Sequence, residues 1–200
     1  MIKKNFNTLS RQSTKGGGRQ LYMTGTKLLE QLLDSYQSSY DITKPFDING
    51  DVYDAYASFN VTSAKYILIK KAELWRANCF EHTFFRCTDC LTTEHLADFR
   101  RHITDFIEPQ LIRDKKEYPE KDHMYSYITG IFLCENSLPD HVRKEVRCFH
   151  YTKNYLLGIR GYSQARLLVF DLKNLTICGN AAAKDLVKGY NKGLSVNTDF

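Results

Sequence analysis

The strongest constraint on this chain is that its hydrophobic period changes along its length. In TGTKLLEQLLDSYQSSY, residues Leu28, Leu29, Leu32, Leu33 and Tyr36 recur at the spacing of one helical face. Thr24 or Thr26 is placed to cap its start, and Pro45 lies beyond its end. In DVYDAYASFNV the period drops to two, so that Tyr53, Ala55, Ala57, Phe59 and Val61 share one strand face. AKYILIKKAELW and CFEHTFFRC read as two further strands, and the short breaks TSA and RAN suit an antiparallel meander. Helical spacing returns in TTEHLADFRRHITDFIEPQLI, with Leu96, Phe99, Ile103, Phe106 and Ile107 on one face. Thr92 or Thr93 caps that helix, and Pro109 is expected to bend or end it.

The second half repeats the alternation loosely. MYSYITGIFLCEN reads as a strand, and a short helix in SLPDHVRKEVRC starts near Pro139 with Ser137 as its cap. FHYTKNYLLGI, ARLLVFDL and TICGN read as a second meander joined at RGYSQ and KN, and AAAKDLVKGYN closes the chain as a helix ending near Gly193. Strand blocks alternating with helices and joined by hairpin-length links predict an α+β fold: antiparallel meanders in two halves packed with about four helices. A chain of 200 residues is most simply one domain, here 21–192, with a basic tail at 1–20 and a short tail at 193–200. The charged loop 113–123 is the candidate for an internal boundary.

Charge is unevenly spread. Residues 1–20 carry five Lys/Arg and no acid, residues 21–140 sum to −6, and residues 141–200 carry ten basic and four acidic residues. Such asymmetry serves either attraction between faces within the fold or an anionic partner. MIKKNFNTLSRQ begins basic without an apolar stretch to follow, and no run approaches the ~18 apolar residues of a membrane span. The six cysteines then read as reduced thiols behaving as small hydrophobes. The expectation is a cytoplasmic protein with no membrane contact and no cofactor.

Several motifs stand out against that background. Arg160-Gly161-Tyr162 matches the first three positions of an RNA-recognition strand, but Ser163, Gln164 and Ala165 break the pattern where it wants a second aromatic. Phe149, Tyr151, Lys153 and Tyr155 would share a strand face with Arg147, Arg160 and Arg166 nearby, an arrangement able to stack bases and neutralise phosphates. The same face continues into Leu157 and Ile159, as core would. Cys87 and Cys90 have C-x-x-C spacing, and Cys79, His82 and His95 are near enough to complete a zinc site, but no second ligand pair follows. Asp54, Glu73 and Glu81 fall on neighbouring strands, as the carboxylates of a metal-dependent phosphodiesterase would, yet KKAEL runs in the wrong order for a nuclease strand. Phosphate-loop, HExxH and GxSxG spacings are absent.

The segments ELWRANCFEHTFFRC, HMYSYITGIFLCEN and YTKNYLLGIRGYSQARLLVFDL together resemble an uncharacterised bacterial protein family that carries only a domain-of-unknown-function label. The resemblance covers about residues 50–190 and implies a cytoplasmic bacterial protein, with no activity or catalytic residue attached. The leading expectation is a non-catalytic accessory or binding protein. It would contact nucleic acid or another anionic partner through Arg147, Lys153, Arg160, Tyr162 and Arg166. A metal-dependent phosphodiesterase on Asp54, Glu73 and Glu81 and a protein–protein interaction module are the alternatives.

Overall fold

The computed structural model describes residues 24–62 and 78–195. The predicted tail 1–20, the strand expected in AKYILIKKAELW and the candidate acid Glu73 lie outside the described residues.

Among the described residues, nine strands and four α-helices follow in chain order. They are α1 (Gly25–Tyr36), β1 (Asp41–Thr43), β2 (Phe46–Ile48), β3 (Asp51–Tyr53), β4 (Ala55–Thr62), β5 (Asn78–Thr88), α2 (Thr93–His102), β6 (His123–Cys134), α3 (Asp140–Cys148), β7 (Thr152–Asn154), β8 (Tyr162–Asp171), β9 (Thr176–Gly179) and α4 (Lys184–Ser195). The fold is α+β. Seven strands form one sheet in the order β1-β4-β5-β6-β8-β7, with β9 also on β8, while β2 and β3 form a separate hairpin. Because β6 pairs onto β5 and β8 onto β6, the sheet runs unbroken across the 113–123 loop.

The strand pairing departs from two antiparallel meanders. β1–β4, β4–β5, β7–β8 and β8–β9 are antiparallel, but β5–β6 and β6–β8 are parallel. Parallel neighbours need a long crossover, and the helical segments supply it: α2 carries the chain from β5 to β6, and α3 from β6 towards β8.

Side-chain alternation on the strands divides the core in two. On one face Phe84, Ile128, Phe132, Leu167 and Val169 meet Leu96, Phe99, Ile103, Val142 and Val146 of the crossovers. On the other, Phe85, Ile131, Leu133, Leu168 and Phe170 meet Leu28, Leu29, Leu32, Leu33 and Tyr36 of α1 and Tyr190 of α4. The stripe predicted for the first helix is therefore the buried one, and Thr24 is its cap, its hydroxyl accepting from Lys27 N at 3.3 Å. Thr92 caps α2 and His95 reciprocates, closing a capping box. α3 begins after Pro139 with no side-chain cap, so Ser137 does not serve there.

Pro109 does not end the second helix. From Ile103 to Ile112 the chain continues as a π-helical segment, with Arg113 N–H donating to the Glu108 carbonyl five residues back. The Glu108 side chain is buried, and Arg113 (Nε to Oε1, 2.6 Å), Lys153 (Nζ to Oε2, 3.0 Å) and the Tyr155 hydroxyl (3.0 Å) all reach it. Burial alone would raise that carboxyl, but these bonds outweigh it and hold it below its ordinary value.

The strand expected over 149–159 shortens to β7, because the aromatics bury against other partners. Phe149 stacks on Phe99, and Tyr155 turns in towards Glu108 and Ser163. The chain then makes a tight loop in which Leu156 and Leu157 have positive φ and Leu157 is 100% exposed. Gly161, at φ +72, follows where a Cβ would lie 2.0 Å from the Met124 carbonyl oxygen, so only glycine fits. The turn thus sits at 156–161, and Tyr162, Ser163 and Gln164 are strand residues.

β7 and β9 share one side of β8 and leave a gap between them. A single side chain fills it. Asn180, 3% exposed, accepts from Leu167 N at 3.0 Å and Ala183 N at 3.1 Å, and donates to the carbonyls of Phe149 and Ala165 at 3.0 Å each. Asn180→Asp keeps the acceptor but turns a carboxylate on two buried carbonyls. Urea unfolding is expected to show a loss of roughly 3 kcal/mol or more.

His82 is buried beside Tyr56, whose hydroxyl lies 2.7 Å from Nδ1, and its Nε2 has no hydrogen-bond partner. Burial, with His123 nearby, pulls the imidazole from 6.5 down to about 4. Between those values the unfolded chain holds a proton that the folded chain does not. The contribution of His82 is therefore full above about pH 6.5 and is lost as pH falls towards 4, at up to ~1.4 kcal/mol per pH unit. Urea midpoints measured from pH 7 to 4.5 are expected to fall less steeply for His82→Gln than for the parent chain.

Candidate functional site

Alternation on the three parallel strands sends Glu81 and Thr83 of β5, Tyr125, Tyr127 and Thr129 of β6, and Tyr162, Gln164 and Arg166 of β8 to the face that α1 and α4 cover further along. Register sets them in rows. Cys79, Tyr125 and Tyr162 lie side by side, as do Glu81, Tyr127 and Gln164, and then Thr83, Thr129 and Arg166. The three tyrosines and Gln164 are half-buried, unlike the closed apolar rows at the other end of the same strands.

The rings form a cluster. Tyr125 and Tyr127 have centroids 4.8 Å apart, Tyr125 and Tyr162 6.1 Å, and Tyr127 and Tyr162 6.5 Å. The Arg166 guanidinium lies over the Tyr127 ring at 3.1 Å from its centroid, a cation–π contact. Its Nη1 is 4.0 Å from Glu81 Oε1, and its Nε is buried without a hydrogen-bond partner. Glu81 is otherwise occupied, accepting from the Tyr40 hydroxyl at 2.8 Å and from Thr129 Oγ1 at 3.2 Å.

These contacts fix the chemistry available. A hydrogen bond with Cys79 and then burial push the Tyr125 hydroxyl up to about 12, and a hydrogen bond with Tyr127 and then burial do the same for Tyr162. Both therefore stay neutral at physiological pH and act as flat apolar surfaces with a donor at the tip. Glu81, which accepts from Tyr40 and Thr129, is the ion-pair partner of Arg166. Among the described residues the strip is a row of aromatic rings with one clamped cation.

Of the five contacts expected from the sequence, the structure brings together Tyr162 and Arg166. Lys153 is committed to Glu108 on the opposite side of the sheet. Arg160 sits in the turn before Tyr162, its Nη1 donating to the Pro119 carbonyl at 3.1 Å and its own carbonyl accepting from His123 Nδ1 at 2.8 Å. Arg147, exposed in the last turn of α3, walls a cavity beside β9. Tyr125 and Tyr127 are what sequence reasoning missed. The alternation in MYSYITG placed them on one strand face, but only the pairing of β6 with β8 puts Tyr162 and Arg166 beside them.

Two of the three carboxylates of the phosphodiesterase reading, Asp54 and Glu81, are apart. Asp54 Oδ2 accepts from Cys87 N at 2.7 Å, six residues along β5 from Glu81 and so about 20 Å away at the ~3.3 Å rise of a strand. The zinc reading meets the same geometry. Cys79 and Cys87 are eight residues apart on β5, about 26 Å by the same rise. His82 points to the other face, and Cys90 lies past the strand end. Among the described residues no group of three His, Cys, Asp or Glu side chains is placed to hold a metal ion.

Neither a curated protein nor a solved structure matches this chain. A family model does, over residues 24–192, which is nearly the whole of the described fold. The chain belongs to the family described as Domain of unknown function (DUF8052).

Proposed function

We propose that this protein is a non-catalytic binding protein that takes single-stranded nucleic acid on the tyrosine strip, with bases stacked on Tyr125 and Tyr162. The observation that carries the reading is the cluster of three half-buried tyrosines with Arg166 over one of them, on a sheet face. Aromatic rings on an accessible sheet bind unpaired bases with little regard to sequence, because every base offers a π-face. The basic surplus over residues 141–200, which includes β8 and the turn before it, favours a polyanion over a neutral planar ligand. The six cysteines, all free thiols in the fold, suit a reducing compartment, and we infer a cytoplasmic bacterial protein.

Fluorescence anisotropy with a labelled ten-nucleotide oligothymidylate at low salt tests the reading. Binding is expected to weaken steeply as salt rises. Tyr162→Ala or Tyr125→Ala is expected to weaken it by about ten-fold, in line with ~1–3 kcal/mol per stacked base. Absence of binding at low ionic strength, or binding that both substitutions leave unchanged, removes the proposal.

A further inference from the structure

A second site lies at the open edge of β9, away from the tyrosine strip. A cavity of about 440 Å³ straddles this edge, between the last turn of α3 and the first turns of α4. Arg147 forms one wall, Lys184 and Val187 the other, and Ile177, Cys178, Gly179, Asn180 and Ala181 the floor.

Hydrogen-bond alternation fixes which peptide groups face it. In an antiparallel pair the residues bonded to the neighbouring strand alternate with residues whose N–H and C=O point away. Asn180 N–H donates to the Leu167 carbonyl at 3.1 Å, and Cys178 lies opposite Val169 in the same register. Ile177 and Gly179 are therefore the residues whose backbone groups point off the sheet. No other described strand pairs with β9, and no described turn or loop bonds these groups. Among the described residues they form an unpaired hydrogen-bonding edge on the floor of a groove.

The charge of the groove selects what suits that edge. Its lining contains two cations and no carboxylate, and neither Arg147 nor Lys184 makes an ion pair or side-chain hydrogen bond among the described residues. The two cations also sit on opposite sides of the sheet plane, Arg147 from the helix on one face and Lys184 from the helix on the other. Neighbouring residues of an added strand point to those two faces in turn. Ile177 and Val187 add an apolar contact on the α4 side.

We propose that the β9 edge binds an extended acidic peptide of a partner protein by strand addition. Main-chain bonds at Ile177 and Gly179 supply the pairing, and two adjacent carboxylate residues of the peptide meet Arg147 and Lys184. A small free anion satisfies the cations alone and leaves the edge unpaired.

The test is an NMR titration of the ¹⁵N-labelled full chain with acetyl-Val-Glu-Glu-Val-Thr-amide. The matching peptide with Lys in place of both Glu, and sodium acetate, serve as comparisons. The acidic peptide is expected to shift the Ile177, Gly179 and Asn180 amide signals and slow hydrogen exchange at Ile177 and Gly179. Arg147→Glu and Lys184→Glu, on separate helices, are each expected to weaken it at least five-fold, while Tyr162→Ala leaves it unchanged. Equal binding of the lysine peptide, the same shifts with acetate alone, or no shift at millimolar acidic peptide overturns the proposal.

Discussion

Parallel pairing of β5, β6 and β8 is the constraint from which the rest of the molecule follows. Each parallel step needs a helical crossover, and the strong preference for right-handed connections puts successive crossovers on the same face when the strands are added in one direction. α2 with its π-helical continuation and α3 therefore fill one side of the sheet. The other side is left to α1 and α4, which come from the two ends of the described chain and dock over Ile131, Leu133, Leu168 and Phe170. The opposite ends of the same strands carry tyrosines, a glutamine and an arginine in place of leucine and isoleucine. Among the described residues no crossover helix packs over these rows, which leaves the three tyrosine rings half-buried.

Buried acids tie the crossovers to the sheet. Glu108 holds the π-helical segment to β7 through Lys153 and to the following loop through Tyr155. Asp171, at the end of β8, accepts from Leu138 N and Arg143 at the start of α3 and from Asn174 in the next turn. A buried carboxylate held by several donors adds little net energy but makes loss of any one partner costly. These two residues therefore specify where the crossovers land more than they add to overall stability. Glu108 also explains why Lys153, read from the sequence as a ligand contact, is engaged by the fold itself.

Much of the architecture was legible in local periodicity. The apolar stripes of α1 and α2 and the alternating face of β4 follow from spacing alone, because burial on one side is what that spacing records. Thr24 and Thr92 are each one of two caps the sequence offered. Strand direction was not legible, since side chains alternate identically in parallel and antiparallel pairs. The 149–159 segment misled for a related reason. Phe149, Tyr151 and Tyr155 alternate as strand residues do, yet Tyr155 is drawn to a carboxylate more than forty residues away. The candidate site was half legible: Tyr162 and Arg166 lie in one run of sequence, whereas Tyr127 and Glu81 reach them only through register between strands.

Asn180 gives the gap on the outer side of β8 a particular character. A side-chain amide presents the same donor and acceptor as a peptide group, and here it bonds Leu167 N–H and the Ala165 carbonyl where no strand runs alongside. The residue works as a one-residue strand that cannot lengthen, shorten or slide. β9 follows directly from it in space, so its register against β8 is indexed to a single side chain. A two-residue slip, which would preserve every inward and outward face of β9, is still forbidden, because it would carry the amide away from its carbonyl and leave both ends of the gap unbonded.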